Sequence, residues 1–424
     1  FRSDGAYTCV RARGPPGSVV VDRASSDKSW MVYLQAAHHV VIDGLHVKGA
    51  GDGSWPRGGV MLDGDFARTG ALVRNAAVIN VLATGHRMWG LHATDTATVL
   101  LQDSVFSGSV VEHGAYVSDG SDDWVIRRNV FMDNFASGLQ INLDPLASLE
   151  ETMRHVGMTG MRPMEESRAW AIEAIERANR EYGQDQYPDG VGKNFIVESN
   201  VAVNNGKKGG AAYNFAALTE SLIENNLAYG NFAGGLALWD NKNPFDRELT
   251  DAPPKSPAEW TEERRPIFGS RDNLIRNNTF VDRPSPRAAI QIRHGSWGNA
   301  LVRNIAVHGS GPGLWITADC LDRFLAEGNV MGPVELDDAA RGMTSLARSM
   351  PEAGVTFEAV IESLVAPSDD PWVVLVDGWW SPPKSRPDYR PKPSRFVSGA
   401  KETEVPFDLS GRARVTRTPG ALAR

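Results

Sequence analysis

The chain has 424 residues, of which 42% are hydrophobic and 23% charged, values that suit a globular protein with a large core and exclude wholesale disorder. A formal net charge of -8 and an isoelectric point near 5.7 argue against a nucleic-acid-binding protein, whose contact face is strongly basic. No apolar run reaches the length of a membrane span, and the two cysteines, Cys9 and Cys320, are too few for a disulfide framework or a cysteine-based metal site.

The clearest pattern along the chain is a repeat with a period near 25 residues. Its first column places an asparagine or aspartate after β-favouring residues, as in IRRNVF at 126–131, IENNLA at 223–228 and IRNNTF at 275–280. Four of the intervals between neighbouring members are 25 or 26 residues, among them those that separate Asn278, Asn304 and Asn329. The full column is Asn75, Asp103, Asn129, Asn200, Asn226, Asn278, Asn304 and Asn329.

A second column follows the first by roughly ten residues and consists of short alternating strands opened by glycine or alanine. These strands begin GLHAT at 90, GAYVS at 114, GLQIN at 138, GAAYN at 210, GLALW at 235, AIQIR at 289 and GLWIT at 313. A period this short, with about two strands in each repeat, fits neither helical repeats nor propeller blades. It predicts a coil of parallel strands in which each turn stacks on the next.

With these columns, residues 31–330 resemble the right-handed parallel β-helix proteins of the pectate-lyase-like superfold. The resemblance implies an all-β solenoid, a single-stranded right-handed parallel β-helix, and the winding agrees with the general rule for parallel crossovers. The asparagines are then expected at tight corners, where they tolerate a left-handed backbone and their amides stack in an internal ladder. We assign residues 1–330 to this domain.

Two insertions interrupt the repeat at the same position in the turn, just after a strand of the second column. The first, about 145–190, contains a predicted amphipathic helix with Ile172, Ile175 and Tyr182 on one face. The second, about 243–268, is rich in proline and charge and is predicted to be a loop with at most a short helix. Because both leave at the same side of the coil, we expect them to wall a groove over the second column.

The repeat fades after residue 331, and residues 331–424 are expected to form an irregular capping region packed on the coil. Their ending, DLSGRARVTRTPGA, resembles the closing segment common in secreted β-helix proteins. The chain begins with Phe1 instead of methionine, so we expect a preceding segment, which is where a secretion signal would lie. A secreted or periplasmic location is therefore predicted.

Alternation along the second column predicts which side chains point out of the coil. Aliphatic residues such as Leu139 and Ile141 must point inward, and in GAAYN the outward pair would be Ala212 and Asn214. The outward stripe mixes amides and aromatic rings with few charges, which suits the hydroxyl edges and C–H faces of sugars; an ordinary solvated face is the alternative. The residues predicted to bind substrate are His92, Gln140, Asn142, Asn214, Trp239, Gln291, His294 and Trp315.

Ionisable residues at the ends of these strands are compatible with two kinds of glycan cleavage. A polysaccharide lyase needs a base, for which His113, Tyr116 and Lys208 are candidates, to remove the proton next to a uronate carboxylate. It also needs a cation, for which we select Arg293, to stabilise the developing charge. A glycoside hydrolase needs two carboxylates across the bond, which Asp144 and Asp240 could supply.

A local resemblance favours the lyase. Residues 273–295 are similar to part of the alginate lyase and chondroitinase B type of β-helix lyase, in which an arginine of an RHG segment neutralises the uronate; here that residue is Arg293. The chain departs from this type where the base lysine would stand, at Gly269–Ser270, and it lacks the acidic Ca²⁺-binding pattern. No motif supports Ca²⁺, another metal or a cofactor, so none is predicted.

The sequence therefore predicts a carbohydrate-active protein whose partner is a polysaccharide or oligosaccharide. A lyase acting on a uronate-containing glycan by β-elimination is preferred. An inverting glycoside hydrolase and a non-catalytic glycan-binding surface protein are the two alternatives, because one fold serves many functions.

Overall fold

The predicted coil is present over the described part of the chain. The structure is a computed structural model that describes residues 7–22, 29–54, 56–158, 164–183, 186–241, 243–247, 249, 259, 261–283, 285–308, 311–336, 374–376 and 379–381. Of the predicted capping region, the described residues include the strand Val334–Leu336 and the antiparallel pair Val374–Val376 and Trp379–Ser381. The rest of 331–424 lies outside the described residues, so its role as a cap stays a prediction.

Three parallel sheets of ten strands each make up the coil, and each turn of the chain contributes one strand to each sheet. Sheet A consists of Thr8–Arg11, His38–Asp43, Val73–Ile79, Thr96–Gln102, Asp122–Arg127, Ile196–Glu198, Leu222–Glu224, Leu274–Arg276, Ala300–Val302 and Leu325–Glu327. Sheet B consists of Val19–Asp22, Leu45–Lys48, Leu82–Thr84, Val105–Ser107, Val130–Met132, Val201–Val203, Leu227–Tyr229, Thr279–Asp282, Ile305–His308 and Val330–Met331. Sheet C consists of Trp30–Gln35, Gly58–Asp63, Trp89–Thr94, Ala115–Ser118, Leu139–Asn142, Tyr213–Ala216, Leu236–Trp239, Ile290–Ile292, Leu314–Ile316 and Val334–Leu336.

This architecture is a single-stranded right-handed parallel β-helix, and the predicted fold class is confirmed. Each turn has three strands, one more than the sequence predicted, because most sheet B strands are only two to four residues long and show little alternation. A short additional pair, Gly192–Lys193 with Leu218–Thr219, lies beside the coil.

The core is a set of stacked columns, because parallel strands pair in register and place equivalent residues above one another. Leu91, Ala115, Leu139, Tyr213 and Leu236 form one such inward column of sheet C, and all five are fully buried. Burial of apolar side chains at roughly 25 cal/mol per Å² is the main stabilising contribution of these columns.

The corner between sheets A and B has the same two-residue form in eight successive turns, from Asn80–Val81 to Gly328–Asn329. The first residue of this corner always has a left-handed backbone, as Ser199 does with φ 57. The second residue is the one whose side chain forms the hydrogen-bonded ladder from turn to turn. From Asn129 onward each second residue is an asparagine that receives hydrogen bonds from the turn before it. The ladder is Asn129, Asn200, Asn226, Asn278, Asn304 and Asn329.

Two members of the predicted column lie outside this ladder. Asp103 is the left-handed first residue of its corner, and Ser104 takes the ladder position. Asn75 lies within a sheet A strand and hydrogen-bonds to His39. The expectation that the ladder residue itself is left-handed is also wrong, since the residue before it absorbs the sharp turn.

A second ladder occupies the corner between sheets B and C. Asn134 donates to Asn205, Asn205 to Asn231, and Asn231 to the carboxylate of Asp282, at 2.9–3.1 Å. A shorter one, Asn273 to Asn299, occupies the corner between sheets C and A. Amides thus satisfy buried backbone groups at all three corners.

Replacing Asn200 with alanine is expected to lower the free energy of unfolding by on the order of 4 kcal/mol. The loss arises because several buried groups are left without a hydrogen-bond partner, and each costs about 1–3 kcal/mol. The Oδ1 atom of Asn200 accepts from both the backbone N–H and the side-chain amide of Asn129, and its own amide donates to the Ile126 carbonyl. Urea denaturation measures the loss. Asn329→Ala is the matched control, because Asn329 is only half-buried and water can replace its bonds. Equal losses in both variants would contradict a specific role for buried ladder amides.

The first insertion contains the helices α2 (Pro145–His155) and α3 (Met164–Tyr182), and a single-turn α1 (Phe66–Thr69) packs beside them. Along α3 the residues in the core are Ala171, Ala174 and Ala178, whereas Ile172 is 41% exposed. The predicted inward face is therefore wrong for Ile172, because α3 buries its small residues where it packs against α2 and the surrounding core.

The two insertions contact each other at the edge where they leave sheet C. Arg168 of α3 forms an ion pair with the buried Asp246 and donates to the Arg265 carbonyl at 2.7 Å. Asp246 also accepts the backbone N–H groups of Ile267 and Phe268, both at 2.7 Å. In the second insertion, the described residues include the short 3₁₀ turn Glu262–Arg264.

Candidate functional site

A cleft of about 490 Å³ lies on the outer face of sheet C. The floor comes from the outward side chains of successive strands, and one wall comes from the loops that join sheet B to sheet C. The floor consists of Tyr116, Gln140, Asn142, Asn214 and Trp239, and the remaining lining residues are Trp89, Glu112, His113, Ala136, Lys208, Gly209, Gly210 and Arg287.

Strand register explains why the floor residues meet. Backbone pairing stacks His92, Tyr116, Gln140 and Asn214 in one outward column. A second outward column contains Thr94, Ser118, Asn142, Ala216 and Trp239. The outward pair expected for GAAYN is corrected by this register: Tyr213 is the inward partner of Leu139, so Ala212 precedes the strand and Ala216 takes the second outward position.

Hydrogen bonds hold the amides of the floor in fixed orientations. The Asn214 amide donates to Gln140 Oε1 at 2.6 Å, and the Trp239 indole N–H donates to Asn214 Oδ1 at 3.0 Å. The Asn142 amide donates to the Tyr116 hydroxyl oxygen at 3.3 Å. A floor that is already ordered loses little conformational entropy when it binds a ligand.

Two residues of the wall, His113 and Lys208, contact the carboxylate of Glu112. The backbone N–H of Ser137 donates to Nδ1 of His113 at 3.0 Å, so the neutral imidazole carries its proton on Nε2. That nitrogen lies 3.5 Å from Glu112 Oε2, and the Lys208 ammonium pairs with Glu112 Oε1. Burial, with the nearby charge of Lys208, lowers the pKa of His113 to about 3, so the ring stays neutral near pH 7. Lys208 is 46% exposed, which leaves its side chain free to reorient.

Tyr116 is part of the cleft floor, and its ring stacks on His92 with centroids 4.9 Å apart. Burial, together with the negative charge of Asp119, raises the pKa of the Tyr116 phenol to about 12. Its hydroxyl therefore keeps its proton near neutral pH and can donate it.

Seven predicted site residues are outside the set that lines the cleft. One of them, His92, stacks on the ring of Tyr116 behind the cleft lining. Asp144 is the N-cap of α2 and accepts the N–H groups of Leu146 and Ala147 at 3.1 and 3.3 Å, a structural role. Asp240 is buried against the Asn243 amide. The other four are Gln291, His294, Arg293 and Trp315.

These four residues lie one or two turns beyond Trp239. Gln291 is buried and donates to the Ala233 and Ala288 carbonyls. The Arg293 guanidinium lies 5.5 Å from the centre of the Trp315 ring. His294 adopts a left-handed backbone at φ 55.

The described lining residues of this cleft include none from either insertion, and the prediction that the two insertions wall the groove stays a prediction. The insertions leave at the ends of the sheet C strands, whereas the wall comes from the loops that enter those strands. Arg287 and Trp89 were not among the residues predicted for the site. The available signal was that Glu112, Lys208 and Arg287 all come from loops preceding a sheet C strand.

Two further observations bear on ligands and location. Among the described ranges, no group of three or more His, Cys, Asp or Glu side chains is arranged to hold a metal ion. The prediction that no cofactor is required stays a prediction. Within the same ranges, no helix has both the length and the apolar character needed to cross a membrane.

No protein family model and no curated protein sequence matches the chain. Among the solved structures to which the chain is similar, three each match 70% or more of its length. The pectate lyase Pel9A shares 13% identity over 99% of this chain and 78% of its own, with a TM-score of 0.47. The alginate lyase from Paenibacillus sp. str. FPU-7 shares 11% over 76% and 84%, with a TM-score of 0.38. PfbA, a surface adhesin of Streptococcus pneumoniae, shares 11% over 70% and 64%, with a TM-score of 0.44. At these identities the similarity is one of fold.

Proposed function

We propose that this protein acts on carbohydrate and cleaves a uronate-containing glycan by β-elimination in the cleft of sheet C, outside the cell or in the periplasm. The observation that carries the proposal is the convergence of Tyr116, Lys208 and Arg287 over an ordered floor of amides and indole. This set supplies a proton donor, a potential base and a guanidinium cation within one cleft, as elimination next to a carboxylate requires.

In the proposed reaction, Arg287 pairs with the uronate carboxylate, and Lys208 acts in its neutral amine form. Once the polymer displaces water, loss of solvation disfavours both charges of the Lys208–Glu112 pair, so Glu112 can take the lysine proton. His113, which presents its Nε2–H to Glu112, acts as a positioning residue for that carboxylate.

Lys208 then removes the proton from the ring carbon next to the carboxylate. The electron pair of that C–H bond forms a C=C bond as the bond from the adjacent carbon to the glycosidic oxygen breaks. The Tyr116 hydroxyl gives its proton to the leaving oxygen, and Lys208 is left as an ammonium. Glu112 then releases to solvent the proton that it took from Lys208, and Tyr116 regains a proton from solvent, which restores the resting site. The products are an unsaturated uronate and a new free end.

Hydrolysis is the weaker candidate for the same cleft. It needs two carboxylates on opposite sides of the scissile bond. Of the described residues that line the cleft, Glu112 alone carries a carboxylate, and Asp144 and Asp240 are engaged elsewhere.

A panel of uronate polymers tests the proposal. Cleavage is expected to produce ultraviolet absorbance from the unsaturated product. New reducing ends without that absorbance would replace the proposal with hydrolysis, and binding without any cleavage would replace it with a glycan-binding protein.

Replacing Arg287 with alanine is expected to reduce kcat/KM by roughly 100-fold, which is typical for removing one group that stabilises developing charge. Arg293→Ala is the matched control, because Arg293 is the cation that the sequence predicts and it lies outside the lining residues. Initial rates on the cleaved polymer measure both variants. A large loss in Arg293→Ala with normal turnover in Arg287→Ala would reverse the assignment.

A further inference from the structure

A stack of aromatic rings continues from the cleft toward the N-terminal end of sheet C. Trp89, which lines the cleft, lies 4.6 Å from His92 and 5.8 Å from Tyr116, measured between ring centroids. On its other side Trp89 stacks on Trp30, with centroids 5.8 Å apart and planes 15° from parallel. The stack therefore joins Tyr116 to a ring that comes from a strand three positions away in sheet C, with the two ring centroids at most about 12 Å apart.

Gly58 makes the contact between the two indoles possible. Backbone pairing places Gly58 between Trp30 and Trp89 in sheet C. A Cβ atom at position 58 would come within 2.0 Å of the Trp30 ring, so any side chain there would displace it. Because Gly58 has no side chain, the Trp30 ring occupies the space where one would lie.

Charge and hydrogen bonding at this stack point to an acidic ligand. The Arg57 guanidinium lies 4.7 Å from the centre of the Trp89 ring and is exposed. Among the described residues, no carboxylate pairs with Arg57. Trp89 is 6% exposed, and its indole N–H has no acceptor within the described part of the chain. Leaving a buried donor unpaired costs about 1–3 kcal/mol, which a purely structural role for this ring does not explain.

We propose that Trp30, Arg57 and Trp89 form a second sugar-binding subsite, which takes a further acidic residue of the same glycan chain that occupies the cleft. This proposal rests on the proposed function. Trp30 offers a half-buried aromatic face to the C–H side of a sugar ring, and Arg57 pairs with its carboxylate. The substrate is accordingly a polymer lying along the axis of the coil, because one chain must occupy the cleft and the subsite at the same time.

The test compares long and short ligands on the full chain. The probes are alginate and polygalacturonate, each as polymer and as disaccharide, with affinity measured by calorimetry and cleavage by ultraviolet absorbance. Trp30→Ala and Arg57→Ala are each expected to weaken polymer binding by roughly tenfold or more, the size of a typical important contact. Binding of the disaccharide is expected to stay within about twofold, since the ligand fits the cleft alone.

Controls separate the possible failures. Trp30→Phe keeps a ring and should recover most of the affinity. Tyr7→Ala removes an exposed aromatic ring that contacts His39 edge to face, away from the stack. If the unaltered protein neither binds nor cleaves any probe, the proposed function and the subsite both fail. If it binds polymer and the Trp30 and Arg57 variants bind it equally well, or lose polymer and disaccharide alike, the subsite alone is overturned.

Discussion

Replacing Tyr116 with phenylalanine is expected to lower kcat by about 10²–10⁴-fold, the usual contribution of a positioned general acid. The substitution removes the hydroxyl that protonates the leaving oxygen and keeps the ring, which stacks on His92. Because the polymer still contacts the amides and Trp239, KM is expected to change by less than about threefold, as for a group that acts only in the transition state.

Initial rates over a range of polymer concentrations separate kcat from KM. Tyr33→Phe is the matched control, since Tyr33 also points outward from sheet C but hydrogen-bonds to Asp63 outside the cleft. A Tyr116→Phe variant with kcat close to that of the unaltered protein would remove Tyr116 from the reaction.

Asp282→Asn is expected to stabilise the protein at pH 8 and to have little effect at pH 5. Asp282 ends the ladder at the corner between sheets B and C, where its Oδ1 accepts from Asn231 and its buried Oδ2 has no partner among the described residues. Burial raises the pKa of this carboxyl to about 7. The folded state therefore binds a proton more tightly than the unfolded chain, whose aspartate ionises near pH 4.

The sign of the pH dependence follows from that difference. Stability from Asp282 is fully present below the unfolded pKa and is lost as the pH rises through the folded value. Integrated over about three pKa units, the loss is on the order of 4 kcal/mol. An asparagine carries no charge, and by the geometry of the ladder its amide would donate to the Ala228 carbonyl.

Urea denaturation at pH 5 and pH 8 measures this effect. Asp133→Asn is the matched control, because Asp133 is exposed and lies one residue before a member of the same ladder. If Asp282→Asn leaves the difference between the two pH values unchanged, the buried carboxyl is not its source.

Much of the fold was predictable because a parallel coil repeats the same physical demand in every turn. Asn200, Asn226 and their equivalents must satisfy backbone groups at identical corners, so the residue type recurs at the period of the coil. The sheet B strands were harder to predict, since a strand as short as Val105–Ser107 is too brief to show alternation. The sequence also did not indicate that the residue before each ladder asparagine has a left-handed backbone, because serine, arginine and asparagine all occupy that position.

The candidate site was predictable only in part, and the reason is geometric. Alternation within one strand indicated that Tyr116, Gln140 and Asn142 point outward, and register then placed them together. Arg287 is distant from Glu112 in the sequence, and only the stacking of turns brings their loops to one wall. Asp144 was selected because it follows a strand, although capping α2 accounts for it.

The constant corner between sheets A and B has a consequence for how such a chain can diverge. That corner keeps two residues in eight successive turns, whereas the loops that enter sheet C range from two residues at 332–333 to nine at 204–212. Adding a residue to the constant corner would displace the ladder residue of that turn from its partners in the turns on either side, so insertions and deletions in related sequences should be rare there. They should accumulate instead in the loops around the cleft, where a change of length alters the ligand that fits and leaves the scaffold intact.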